Sequence, residues 1–140
     1  MANFLVLVNA WYSKTLVTGG EYHMLRVLKN WSLQHNISLI LPKIGYQTSK
    51  GILPNVDLFY FSSYEQDDTE IKNVFRLLTS YFVRIIRSIL ISPKQHPDII
   101  ITASHLLYDI IPAIIIRRRY KSKLVVYNHG LKVFMQYKKF

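Results

Sequence analysis

Five short apolar runs recur along the chain between longer segments whose apolar positions follow a helical period. They occupy residues 3–8, 37–41, 56–61, 98–103 and 123–127. Each run is shorter than a typical helix and rich in β-branched or aromatic residues, so each predicts a strand. Most runs are apolar at consecutive positions, which is typical of strands covered on both faces.

Three of the intervening segments predict helices, at residues 18–35, 69–91 and 106–119. Thr18 and Glu21 stand at the spacing of a capping box, which indicates the start of the first helix. Acidic residues before the second helix suit the positive end of a helix dipole. The third helix contains Pro112, which predicts a kink or a late start. Residues 43–55 contain two glycines and a proline and predict a loop.

The alternation of strands and helices predicts an α/β fold. We expect a Rossmann-like, doubly wound, mostly parallel five-stranded sheet with helices on both faces. The carboxyl ends of parallel strands share one edge, and ligands of such sheets bind there. Three segments are expected to meet at that edge: Thr18-Gly19-Gly20, Ser104-His105 and His129-Gly130.

Charge divides the chain into two unlike halves. Residues 1–70 hold 5 Lys and Arg against 6 Asp and Glu, whereas residues 71–140 hold 13 against 2, and the whole chain has a net charge of +10. The basic half indicates either an anionic partner or a soluble basic surface. Cysteine is absent, which excludes disulfides, thiolate metal sites and a cysteine nucleophile.

Basic residues of the second predicted helix form a stripe. Plotted at 100° per residue, its members fall within about 120° of one another; they are Lys72, Arg76, Arg84 and Arg87. Two interpretations are open, namely an amphipathic helix lying on an anionic membrane surface and an ordinary helix with a solvated basic face. A second cluster, Arg117-Arg118-Arg119, is expected at the edge opposite the ligand cleft.

Two glycines and two histidines carry the candidate chemistry. Gly19 and Gly20 lie at a helix start after a strand, where free N–H groups suit a phosphate, although a plain turn has the same pattern. His129 follows the last strand, as His105 follows the fourth, and each could contact a sugar hydroxyl, act as an acid or base, or be structural. Neither a dinucleotide fingerprint nor a phosphate-binding Gly-Lys-Ser/Thr loop is present. No metal-ligand spacing occurs, so we predict no bound metal.

The arrangement of these motifs resembles a known family. An apolar first strand, a Gly-Gly loop opening a helix, Pro97-Asp98-Ile-Ile-Ile-Thr after a break, and a strand ending Val-Val-Tyr-Asn-His129-Gly130 are similar to the N-terminal domain of family 4 retaining glycosyltransferases of the GT-B fold. The resemblance covers nearly all of residues 3–131. It implies a Rossmann-like acceptor-side domain at residues 1–131, followed by a basic tail at residues 132–140.

The resemblance also implies roles for the candidate residues. Gly19 and Gly20 would lie against the donor diphosphate, and His129, with Gly130, would contact the transferred sugar. Ser104 and His105 would line the acceptor side, although Ser104 could instead cap the third helix. The family's usual pattern is Gly-Gly-x-Glu, whereas here Glu21 follows the glycine pair directly.

The implied reaction is transfer of a sugar from a nucleotide-sugar donor to a glycan or lipid-linked acceptor, with no cofactor. In this family a C-terminal domain holds most of the donor site, including a Glu-x₇-Glu motif, and nothing after Leu131 could supply it. We therefore expect a fragment or a domain that needs a partner, inactive as the 140-residue chain alone.

Other interpretations remain open. One is a non-enzymatic basic module that binds nucleic acid or a membrane surface, although no nucleic-acid motif is present. A receiver-like signalling domain would need acidic residues where Asn9 and Phe61-Ser62 stand. With neither a secretory signal nor an 18-residue apolar span visible, we expect a cytoplasmic protein, with peripheral contact at the inner membrane face as an open alternative.

Overall fold

The computed structural model describes residues 1–10, 13 and 19–127. Its centre is a five-stranded sheet, and every pair of neighbouring strands is parallel. The strands, in chain order, are β1 (Asn3–Leu7), β2 (Asn36–Pro42), β3 (Leu58–Ser63), β4 (Ile99–Thr102) and β5 (Lys123–Val126), and they lie side by side as β3-β2-β1-β4-β5. The predicted Rossmann-like parallel sheet is confirmed.

Four helices accompany the sheet in the described residues: α1 (Gly19–Trp31), α2 (Tyr46–Ile52), α3 (Val74–Leu90) and α4 (Leu107–Tyr120). The prediction of a loop over residues 43–55 is wrong, because a 3-10 turn, Lys43–Gly45, leads directly into α2. Gly51 lies within the last turn of this short helix, where a glycine is tolerated at a modest cost.

The second predicted helix begins later than the acidic stretch indicated. The side chain of Asp67 accepts a hydrogen bond from the Thr69 backbone N–H and caps a separate 3-10 turn, Asp68–Glu70. The side chain of Asn73 then caps α3 by accepting from the Phe75 backbone N–H at 2.8 Å. Two successive caps therefore divide the segment that the sequence pattern joined.

The two faces of the sheet are covered in different ways. On one face, α1 contributes Met24, Leu25 and Leu28 to an apolar core shared with alternate residues of β1 and β2. On the other face, α4 contributes Ala113 and Ile116 to a smaller apolar cluster. The helix α3 packs beside α4 and against β3, yet its fully buried side chains are polar.

The helix α3 extends past the sheet. The Ser88 Oγ lies 3.0 Å from the Nδ2 of Asn9, which is two residues beyond the end of β1. Val74 lies fourteen residues before Ser88, so at 1.5 Å per residue the helix begins roughly 20 Å from this contact. Because α3 lies in the connection between the parallel strands β3 and β4, it runs back antiparallel to them, and its first half lies beyond the edge formed by their carboxyl ends.

Candidate functional site at the carboxyl edge of the sheet

The strand order changes direction between β1 and β4. From β1 the chain proceeds outward to β2 and β3, then returns to place β4 on the other side of β1. In sheets of this type the crevice outside the carboxyl ends of the two strands at the switch point is where ligands bind. The residues that follow β1 and β4 therefore define the candidate site.

Asn9, which is completely buried, organises this edge of the sheet. Its Nδ2 donates to the Ser88 Oγ at 3.0 Å and to the Tyr108 carbonyl oxygen at 2.9 Å. Its Oδ1 accepts a hydrogen bond from the Ser62 Oγ at 2.6 Å. One side chain thus joins the ends of β1 and β3 to both α3 and α4.

The backbone of the same residue binds two charged groups. The Asn9 N–H donates to the Asp109 Oδ1 at 2.8 Å, and its carbonyl oxygen accepts from the Arg84 Nη1 at 2.9 Å. Opposite charges are therefore held on the two sides of a single backbone position. We call the residues of this buried network, Asn9, Ser62, Asp68, Arg84, Ser88, Ser104 and Asp109, the edge network.

Asp109 lies near the start of α4 and is 0% exposed. Burial raises the pKa of Asp109 to about 7, and the nearby Glu21 carboxyl adds to the rise. Hydrogen bonds from the Ser104 Oγ and the Asn9 N–H, together with the Arg84 charge, lower the pKa only in part. The carboxyl group therefore changes its protonation near neutral pH, which is unusual for an aspartate.

Glu21 lies in the first turn of α1, on the other side of the switch point. The residue is 5% exposed, and its Oε2 is buried with no hydrogen-bond partner among the described residues. Burial raises the pKa of Glu21, and a hydrogen bond from its own backbone N–H opposes that rise. Glu21 directly follows the glycine pair that opens the helix.

Arg84 occupies the centre of the edge network rather than the helix surface. Its Nη2 contacts both carboxylate oxygens of Asp68, at 2.7 and 2.8 Å, and the residue is 0% exposed. Burial raises the pKa of Asp68, and attraction by the guanidinium opposes the rise without cancelling it. The inclusion of Arg84 in a membrane-surface stripe is therefore wrong, because the residue is paired and buried.

The other members of that stripe have separate environments. Lys72 precedes α3 rather than lying within it, and Arg76 is exposed in the first turns of the helix. Arg87 is half-buried, with its guanidinium 4.1 Å from the centre of the Tyr64 ring, a cation–π contact. Two exposed cations and one partly covered cation thus remain available at the surface.

The candidate residues of the two loops lie where the sheet topology predicts. Gly19 and Gly20 open α1, and an added Cβ on Gly19 would meet nothing within 4 Å. Ser104 is nearly buried, with its Oγ donating to the Asp109 Oδ2 at 2.5 Å and accepting from the Leu106 N–H at 3.3 Å. His105 is exposed beside it.

Several expectations lie outside the described residues. They concern Thr18, and with it the capping box, as well as His129, Gly130 and the tail at residues 132–140. Their assigned roles stay predictions. The described chain reaches Tyr127, whose ring stacks on His23 of α1 with centroids 6.2 Å apart. The end of β5 therefore lies beside the start of α1.

The sequence pattern singles out Ser104 and Arg84, but it does not predict the edge network that contains them. The sequence pattern uses Asn9 only to argue against a receiver-like domain, and it assigns no role to Asp109. The available signal was an isolated carboxylate within an otherwise apolar segment, since such a residue is rarely buried without a partner. Its partners are far away in sequence, so the pattern alone could not identify them.

Within the described residues, no group of three histidine, aspartate or glutamate side chains is arranged to hold a metal ion. The described helices also include none that is long and apolar enough to cross a bilayer. Neither the known protein-family profiles nor the sequences of curated proteins match this chain.

Proposed function

We propose that this chain is the acceptor-side domain of a glycosyltransferase that moves a sugar from a nucleotide-sugar donor to a glycan or lipid-linked acceptor. The observation that carries the proposal is the glycine pair at the start of α1. Gly19 and Gly20 begin the helix at the carboxyl edge of the sheet, with open space around Gly19. Free N–H groups of a first helical turn suit a diphosphate, and glycine permits its close approach.

The polar groups around this position suit the same chemistry. Among the described residues, the buried Oε2 of Glu21 has no hydrogen-bond partner, so a polar group of the ligand could satisfy it. His105 is exposed in the turn after β4, where it could contact an acceptor hydroxyl. Ser104 is engaged by Asp109, so its proposed role is to position this turn.

In the proposed reaction the bond between the sugar's anomeric carbon and the diphosphate breaks, and a bond from that carbon to the acceptor oxygen forms. The acceptor hydroxyl loses its proton, and the nucleoside diphosphate leaves with the bonding electron pair. His129 keeps its proposed contact with the transferred sugar. The donor nucleotide would be held mainly by a second domain, on the same polypeptide or a partner, so transfer is expected only when that domain is present.

The test is a titration of the chain with uridine, guanosine and adenosine diphosphates and with pyrophosphate, followed by NMR. We expect the largest shifts at the Gly19 and Gly20 amides. The variant Gly19→Ala should weaken binding because the new methyl group occupies the approach path. Gly51→Ala is the matched control, since Gly51 is also helical with open space around it but lies in α2. Shifts confined to the basic end of α4, or equal weakening by both variants, would contradict the proposal.

A second candidate is a non-enzymatic basic module that binds an anionic polymer such as nucleic acid. It is favoured by exposed cations at the end of α4 and the start of β5, namely Arg118, Arg119, Lys121 and Lys123. Affinity for DNA or RNA that falls steeply with salt, and that is lost when Arg118 and Lys121 become Gln, would support this candidate. Affinity that responds to salt but not to these substitutions would exclude this surface.

A further inference from the structure

The outer face of α3 is apolar and exposed. It consists of Phe75, Leu78, Phe82, Ile86 and Leu90, which follow one another at helical spacing, and we call it the α3 apolar face. Phe75, Leu78 and Phe82 are 59–79% exposed. Monomeric soluble proteins rarely display contiguous apolar surface of this kind unless it contacts something.

The orientation of this face is fixed by the opposite side of the helix. Arg84 and Ser88 point inward, where Arg84 binds Asp68 through two hydrogen bonds and Ser88 binds Asn9. Rotating α3 to bury its apolar side would take the Arg84 guanidinium away from the buried Asp68 carboxylate. Such a separation is costly, because it leaves a buried charge without its partner.

An apolar groove continues the α3 apolar face toward α4. It has a volume of about 620 Å³ and is lined mainly by Leu78, Phe82, Ile85, Leu106 and Leu107. Leu107 begins α4 and is itself largely exposed. The apolar surface therefore spans the first halves of two helices on the side where α3 extends past the sheet.

Cations border this surface. At 100° per residue, Arg76 and Arg87 lie within about 20° of each other, along one side of the α3 apolar face. Lys72 is exposed just before the helix, and α3 itself contains no acidic residue. Glu70 is an exposed carboxylate in the preceding turn. A face of apolar side chains with a basic margin matches the interfacial region of an anionic bilayer.

We propose that the α3 apolar face docks on an anionic phospholipid membrane. Phe75, Leu78 and Phe82 enter the boundary between headgroups and acyl chains, while Arg76 and Arg87 contact lipid phosphates. The exposed Tyr64, which stacks on Arg87, has the amphipathic ring favoured at this depth. The inference rests on the geometry of α3 and is independent of the proposed transferase activity.

Charge favours a membrane over a second copy of the chain. If two α3 helices paired antiparallel along their apolar faces, Arg76 of one copy would approach Arg87 of the other. Like charges facing each other oppose such a dimer. An anionic lipid surface instead complements both the basic margin and the net charge of +10.

The experiment is co-sedimentation of the full chain with phosphatidylcholine vesicles and with vesicles that also contain phosphatidylglycerol. We expect binding mainly to the second kind. The triple variant Phe75→Ser/Leu78→Ser/Phe82→Ser should bind roughly tenfold or more weakly, because interfacial binding scales with the apolar area that enters the bilayer. Tyr22→Ser/Leu33→Ser is the matched control, since both residues are exposed but lie on or just after α1.

A charge variant keeps the test decisive if the triple variant fails to fold. Arg76→Gln/Arg87→Gln should lower the affinity for anionic vesicles and flatten its salt dependence, whereas Arg26→Gln/Lys29→Gln on α1 should do so less. Equal binding by the α3 variants and the parent chain would overturn the proposal. It would also be overturned by a concentration-dependent dimer that the triple variant abolishes, with no vesicle binding by the parent.

Discussion

The helices on the two faces of the sheet are oriented by different forces. In α1 the inward side is mostly apolar, and Met24, Leu25 and Leu28 pack against the strands. In α3 the fully buried side chains are Arg84 and Ser88, and much of the apolar side faces outward. The comparison teaches that a buried polar anchor can set the rotation of an amphipathic helix against its hydrophobic pattern.

The largest expected effect comes from removing the anchor of α3. Arg84→Met leaves the Asp68 carboxyl buried without its partner and removes the donor to the Asn9 carbonyl oxygen. We expect a loss of about 3–5 kcal/mol in the free energy of unfolding, measured by urea denaturation at neutral pH. Arg76→Met, at an exposed position of the same helix, should change it by less than about 0.5 kcal/mol. Similar losses in the two variants would mean that the pair does not hold α3.

A matched leucine pair tests the two helices directly. Leu25→Ala in α1 removes a fully buried side chain and should cost about 2–5 kcal/mol. Leu78→Ala in α3 removes a side chain that is mostly exposed, so its cost should stay below about 0.5 kcal/mol. Thermal or urea unfolding of both variants gives the comparison, and a large cost at Leu78 would show that the α3 apolar face is covered in solution.

Asp109 should make stability depend on pH. Because its pKa is raised to about 7 in the folded state, this group stabilises the fold fully below its unfolded pKa, and that contribution is lost as the pH rises toward 7. The slope is about 1.4 kcal/mol per pH unit near pH 5 and falls by half at pH 7, where the folded group is itself half ionised, so the loss between pH 5 and pH 7 is roughly 2 kcal/mol.

Asp109→Asn should remove this slope while keeping an acceptor for the Asn9 N–H. Urea unfolding of parent and variant across that pH range measures the difference, in which the contributions of other titrating groups largely cancel. The raised pKa of Glu21 acts in the same direction in both proteins, and Glu21→Gln measures its share. A variant with the same slope as the parent would assign the dependence to other groups.

The smallest expected effect concerns the glycines of α1 and α2. Gly19→Ala and Gly51→Ala place a methyl group in open space within a helix, and each should stabilise the fold by about 0.4–1 kcal/mol. The shift of the thermal midpoint measures it. A destabilised Gly19→Ala alone would indicate that the start of α1 is crowded, which would also weaken its use as a probe of diphosphate binding.

Sequence patterns predicted the strands and the sheet well, because the apolar runs are short and separated by turn residues, and the runs of β1, β2 and β4 are largely buried. They failed where burial depended on distant partners. Arg84 has the same helical spacing as exposed cations, and its partner Asp68 lies 16 residues earlier in a separate turn. Arginine is usually exposed, so its helical spacing alone indicated that Arg84 lies on the surface.

The candidate site was only partly predictable. The switch-point loops followed from topology, which placed Gly19, Gly20 and Ser104 at one edge. The edge network did not follow from topology. Asn9 and Asp109 are 100 residues apart in the sequence and meet only through the pairing of β1 with β4. The short helix α2 was missed because its glycine has the same local signal as a turn.

The central position of β1 has a consequence for how the chain folds. One side of this strand pairs with β2, but the other pairs with β4, where Phe4 is aligned with Ile99. Contacts so distant in sequence form late and slow the folding of a domain. Until β4 pairs with it, β1 has an unpaired apolar edge to which other chains can bind. Refolding yield should therefore fall with protein concentration, and aggregation should compete chiefly before the β1–β4 pair closes.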